Sequence, residues 1–148
     1  MTKSSRIAAC ALLAAMFAAG GAQAQGAEAW KAFAEPRTHG LMRHAEAPGT
    51  GDPPGFRLGE CATQRNLSDA GRDQARRIGQ AVKTQGIRVD RVLTSQWCRS
   101  AQTAALLDVA PVVEFPALNS FFDARDTSRE QSDAVIGKLA ELDGAGSR

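Results

Sequence analysis

Tyrosine is absent from the 148 residues, aromatic side chains make up only 5% of them, and histidine occurs twice. No cluster interleaves basic with aromatic residues, so the chain offers no platform for nucleic-acid bases. Two His and no carboxylate cluster at ligand spacing leave a metal centre unsupported, and no organic cofactor is implied. Also missing are the G-x-x-x-x-G-K-[ST] loop, a G-x-G-x-x-G turn after a strand, the G-x-S-x-G elbow and the C-x-x-C pair. Their absence removes the common nucleotide, serine-hydrolase and zinc signatures. Three Cys are too few for a disulfide-dense scaffold. The apolar stretch from Ile7 to Gly20 has 14 residues, short of the ~20 a membrane-spanning helix needs.

What is present is ordinary in amount, 43% hydrophobic and 23% charged residues in a length that suits one compact domain. Its distribution is not ordinary. Lys3 and Arg6, the Ile7 to Gly20 stretch, and the small residues of Ala22-Gln23-Ala24 read together as a secretory signal over residues 1–24. The mature chain is then 25–148, secreted or periplasmic. No Arg-Arg pair precedes the apolar stretch, so the general secretory route is expected, and Cys10 lacks the apolar run that lipid attachment requires. Lys3 and Arg6 account for the whole formal charge of +2, so the mature chain is formally neutral and carries no basic surplus toward nucleic acid or, once cleaved, toward membranes. Cleavage also turns three cysteines into an even pair, Cys61 and Cys98, in an oxidising compartment. That pair reads either as a disulfide or as two buried thiols.

The pattern predicts a short helix over Ala27 to Ala34, a break at Pro36 and a short buried strand over Thr38 to Arg43, weakened by Gly40. Ala47 to Arg65, rich in Pro and Gly and without a period, is a long loop. Ser68 caps a helix running to about Gln85, with Ala75, Ile78 and Val82 on its apolar face and Gly86 as its stop. A strand over Val89 to Thr94, a helix over Trp97 to Asp108 and a strand over Pro111 to Phe115 follow. Thr127/Glu130 and Ser128/Gln131 are overlapping capping boxes that open a last helix through Val135, Ile136, Leu139 and Leu142. Alternation of this kind predicts an α/β fold, a parallel-type sheet flanked by helices. The chain reaches Arg148 where a further strand is expected, so the sheet is expected to be incomplete at its C-terminal end.

Ligands of parallel sheets bind beyond the carboxyl ends of the strands, which directs attention to Arg43 and His44 after the first strand and to Thr94 through Thr103 after the second. Arg99 falls in the first turn of a helix, where free N–H groups and the dipole already favour an anion. Two Arg and one His on one rim suit a phosphoryl group, because guanidinium supplies paired donors to its oxygens and neutral imidazole attacks phosphorus. His39 has no Arg beside it and reads as structural. Arg76 and Arg77 read as a solvated helix face, and Trp97 as packing beside the pocket.

At these residues the chain resembles the histidine phosphatase superfamily, the phosphoglycerate-mutase-like group. Arg43-His44-Ala45 stands at its R-H-G signature, with Ala in the Gly position. Asn66-Leu67-Ser68-Asp69-Ala70-Gly71 is similar to its N-L-[ST]-x-x-G helix start, and Ser95-x-x-x-Arg99-x-x-x-Thr103 to its second arginine motif. The resemblance covers Thr38 to about Phe122. It implies a phosphoglycerate-mutase-like fold in which His44 accepts the phosphoryl group, Arg43 and Arg99 hold its oxygens, and Asn66 lies on the substrate side. It also places Cys61 and Cys98 near the pocket rim. The family's second pocket His has no counterpart, since His39 and His44 are the only histidines. Where mutases carry a Glu, this chain has Leu118-Asn119-Ser120, so Glu46 and Asp52 stand as the candidate proton donors. The resulting expectation is a phosphomonoester hydrolase acting on a small phosphorylated substrate or binding inorganic phosphate, poorly active and poorly soluble for want of the second His and its strand. The alternative is a non-catalytic phosphate-binding or structural envelope protein.

Overall fold

The computed structural model describes residues 26–122 and 125–145. The expected signal segment, 1–24, lies outside them. The chain divides into two units, one ending at Thr38 and the other beginning at His39. In the first, helix α1 spans 26–34, with Trp30 and Phe33 rings 6.5 Å apart and Lys31 paired to Glu28 at 3.0 Å.

The second unit contains α2 (Asp69–Thr84), β1 (Val92–Thr94), α3 (Cys98–Leu107), β2 (Val112–Glu114) and α4 (Ser128–Gly144). β1, α3 and β2 form one parallel β-α-β unit with Val92 opposite Val112 and Thr94 opposite Glu114. Parallel strands need a crossover, and α3 supplies it. The architecture is therefore α/β: helices around a small parallel two-stranded sheet.

Helix α2 begins where Ser68 Oγ accepts the Gly71 N–H at 2.9 Å, and it ends at Gly86, whose φ of +67° suits glycine. Its inward face is Gly71, Ala75, Gly79 and Val82. Two of these are glycine because backbone crosses there: a Cβ on Gly71 would lie 2.0 Å from the Glu46 carbonyl oxygen, and one on Gly79 would lie 1.9 Å from that of Leu107. The core is small, with Ala45, Leu67 and Ala75 at its centre and Ala47 and Leu106 packed against it.

Three expectations are corrected. Residues 38–43 form no strand: Leu41 is 81% exposed and Met42 51%, and no ladder partner among the described residues takes up the backbone. A strand exists only where a neighbour accepts its hydrogen bonds. The other two strands are shorter than expected for the same reason, ending where Val92 N–H meets Pro111 O at 2.9 Å and Phe115 N–H meets Thr94 O at 2.8 Å. At α4 the Thr127 side chain makes no capping bond and its backbone is already helical, at φ −82° and ψ −7°; its hydroxyl donates to Gln131 Oε1 at 2.9 Å, and Gln131 Nε2 donates to Asn119 O at 3.0 Å. The glutamine thereby ties the helix to the preceding loop instead of closing a capping box.

Candidate active site

The segment leaving 38–43 turns at Ala45 and lies across the first turn of α2. Ser68 holds it there, its N–H donating to Glu46 O at 3.2 Å and its hydroxyl to Glu46 Oε1 at 2.9 Å. From the other side, Thr103 Oγ1 of α3 accepts the Ala45 N–H at 3.0 Å and donates to Arg99 O at 2.7 Å. One hydroxyl thus links the residue after His44 to the residue that carries the second guanidinium. Gly71, Ser68 and Thr103 are spaced as they are because each touches the same short turn.

The turn delivers Arg43 and His44 into a cleft of ≈ 290 Å³ lined also by Met42, Ser95, Trp97, Arg99, Ser100, Leu118 and Ser120. His44 Nδ1 lies 2.7 Å from Ala45 O. A carbonyl oxygen only accepts, so Nδ1 carries the hydrogen and Nε2 keeps its lone pair. Burial lowers the imidazole pKa below its ordinary value, and the positive charges of Arg99, Arg43 and Arg65 lower it further, against an opposing contribution from the Ala45 hydrogen bond. Both lowering effects favour the neutral ring at pH 7. A neutral imidazole among three guanidinium groups is suited to attack an electrophile that carries negative charge.

Arg99 is held by three contacts. Its Nη1 donates to Asp52 Oδ1 at 2.8 Å and to Arg65 O at 3.3 Å, and its guanidinium carbon sits 4.7 Å from the centre of the Trp97 ring. Trp97 in turn packs on Phe56 and Phe122, with ring centres 4.7 and 5.9 Å away. Asn119 accepts the Gln96 N–H at 2.8 Å and donates to Gln96 Oε1 at 2.9 Å, which holds Leu118 and Ser120 at the cleft wall. The sulfurs of Cys61 and Cys98 are bonded, with Cα atoms 5.5 Å apart, and Gln64 Oε1 accepts the Cys98 N–H at 2.9 Å. The long loop is therefore fastened to the first residue of the arginine helix.

The structure brings Arg43, His44 and Arg99 together and leaves three sequence-predicted residues, Glu46, Asn66 and Asp52, out of the cleft lining. Glu46 follows the chain onto α2, where Ser68 and Gln74 engage it and its charge faces the positive end of the helix. Asn66 Nδ2 donates to Cys61 O at 2.6 Å and Gln64 O at 2.9 Å, bracing the loop. Asp52, a candidate acid on sequence, faces Arg99 instead. Arg65 is a contributor that sequence reasoning did not single out; its Nε donates to Gly51 O at 2.8 Å and Nη1 to Ala47 O, so it pins the loop while adding charge near His44. Nothing in the local pattern separates it from the other arginines.

An α/β protein whose cleft sets a neutral His among guanidinium groups is a protein built for oxyanions. A family model, the histidine phosphatase superfamily (branch 1), matches residues 40–122. The chain belongs to that superfamily, its helices and parallel strands are of the phosphoglycerate-mutase-like α/β kind, and its function is phosphatase-like in that general sense. A comparison with curated proteins gives no match.

Proposed function

We propose that the protein is an exported phosphohydrolase that cleaves phosphomonoesters through a phosphohistidine at His44. The observation that carries this reading is the hydrogen bond from His44 Nδ1 to Ala45 O, which leaves Nε2 free to attack in a cleft that also presents Arg43 and Arg99. Nε2 forms a bond to phosphorus as the ester P–O bond breaks and the alcohol or phenol departs, taking its proton from solvent; water then adds to phosphorus as the P–N bond breaks, returning free histidine and inorganic phosphate. The two arginines hold the phosphoryl oxygens through a loose transition state.

The test is turnover of a generic aryl phosphate by the wild-type chain and by His44→Ala. Slow wild-type turnover, as the missing second His implies, with acid-labile label on imidazole, and only background turnover in the variant, is the expected result. Equal rates in the two proteins leave a phosphate-binding protein without this chemistry.

A further inference from the structure

Asp52 lies in the long loop 47 residues before Arg99, yet the two side chains meet with relative exposures of 0% and 8%. Burying two charges is unfavourable unless geometry and hydrogen bonding compensate. Here Oδ1 accepts from both Arg99 Nη1 and the Arg65 N–H, at 2.8 and 2.9 Å, while Oδ2 has no hydrogen-bond partner. Arg99 Nε is likewise buried without a partner. The pair is thus one-sided: a single corner of the guanidinium is anchored, and the rest of the fork is left uncommitted beside the cleft.

We propose that Asp52 is a positioning residue for the phosphoryl-transfer site, setting the orientation of Arg99 rather than donating a proton. This rests on the reading that the cleft takes a phosphoryl group. Three contacts define the guanidinium: Trp97 beneath its face, Arg65 O at Nη1, and the Asp52 carboxylate at the same nitrogen. Only the carboxylate is charged, so its contact is an ion pair as well as a hydrogen bond, and at 2.8 Å against 3.3 Å it is the closer of the two bonds at Nη1. Asp52 does not cancel the field that attracts an anion, because Arg43 and Arg65 remain beside Arg99. The loop that bears Asp52 is fastened by the Cys61–Cys98 bond and by Arg65 to Gly51 O, so the carboxylate is itself held in place. The carboxylate faces Arg99 and is not among the residues that line the cleft, so it is not placed to reach a leaving group.

The experiment compares wild type, Asp52→Asn and Asp52→Ala as full chains, folded by circular dichroism. The readouts are kcat and KM for an aryl phosphate and the NMR signal of the Arg99 Nε–H group. Asparagine keeps an acceptor for Nη1 and puts its amide where Oδ2 has no partner, so it preserves shape and loses charge. The expected result is an Arg99 signal that shifts in Asp52→Asn and moves to the position of exposed arginines in Asp52→Ala. With it, kcat falls about tenfold and about a hundredfold respectively, with KM changing less. An unchanged Arg99 signal, or unchanged kcat, in Asp52→Asn overturns the proposal. Failure of the wild-type chain to turn over aryl phosphate overturns the phosphatase reading instead, and the NMR signal then still decides whether Asp52 sets Arg99.

Discussion

His44 combines two requirements of a nucleophile, a defined tautomer and a neutral ring, and both come from its surroundings. Because its pKa lies below the ordinary 6.5, protonation removes the Nε2 lone pair only in more acidic solution. The acid limb of the rate at limiting substrate is therefore expected to lie below the 6.5 of an ordinary imidazole; an acid limb centred above 6.5 contradicts this assignment. Arg99 behaves differently from a surface phosphate ligand. Arg99→Ala removes charge-assisted bonds worth ~1.5–3 kcal/mol each, so phosphate affinity by calorimetry is expected to fall by roughly tenfold or more. It also leaves the buried Asp52 carboxylate without its cationic partner and with only the Arg65 N–H as donor, which is expected to destabilise by about 3–5 kcal/mol. Adding Asp52→Asn to Arg99→Ala is expected to restore stability without restoring phosphate binding, as read by urea unfolding and calorimetry on the same samples. Arg43, His44 and Arg99 were legible because motif spacing marks them. The partners of Glu46 and Asp52 were not, since two carboxylates in one loop look alike until the path of the chain is known.

Among the elements, α2 was the most legible, because its cap, its apolar spacing and its stop are all local. What spacing does not reveal is why Gly71 and Gly79 have to be glycine. Glycine in a helix is destabilising by roughly 1 kcal/mol relative to alanine, so an unconstrained site gains from the exchange. Gly137 in α4 has nothing within 4 Å of a built Cβ, and Gly137→Ala is expected to raise stability by about 0.5–1 kcal/mol. Gly71→Ala meets the Glu46 backbone and is expected to lower stability by about 1–3 kcal/mol and to weaken phosphate binding, because the same turn carries His44. Thermal melts of the two variants, opposite in sign, check the argument; a stabilised Gly71→Ala disproves the close approach. The strand expected over 38–43 failed for the reason α2 succeeded. Strand formation is a pairing property, and residues 38–43 have no ladder partner among the described residues.

At the scale of the whole molecule, the Cys61–Cys98 bond joins the loop to α3 across a separation of 37 residues. Loop-closure entropy of that length corresponds to a stabilisation of ~4 kcal/mol. Urea unfolding with and without reductant is expected to show a loss of that order, together with weaker phosphate binding, because Asp52, Arg65 and Gln64 lie in the released loop; equal midpoints show that the loop holds without the bond. The sequence by itself determined the α/β class and the capped helix at Ser68, and its motifs marked Arg43, His44 and Arg99 and carried the resemblance to the superfamily. These follow from periodicity, capping chemistry and motif spacing, which act over a few residues at a time. Only the tertiary structure decided that Asp52 faces Arg99, that Glu46 turns onto α2, that Thr103 links the His44 turn to the arginine helix, and that residues 38–43 pair with no strand. Each of these joins segments tens of residues apart, or depends on such a join, and burial and hydrogen-bond partners at that range are set by how the chain packs.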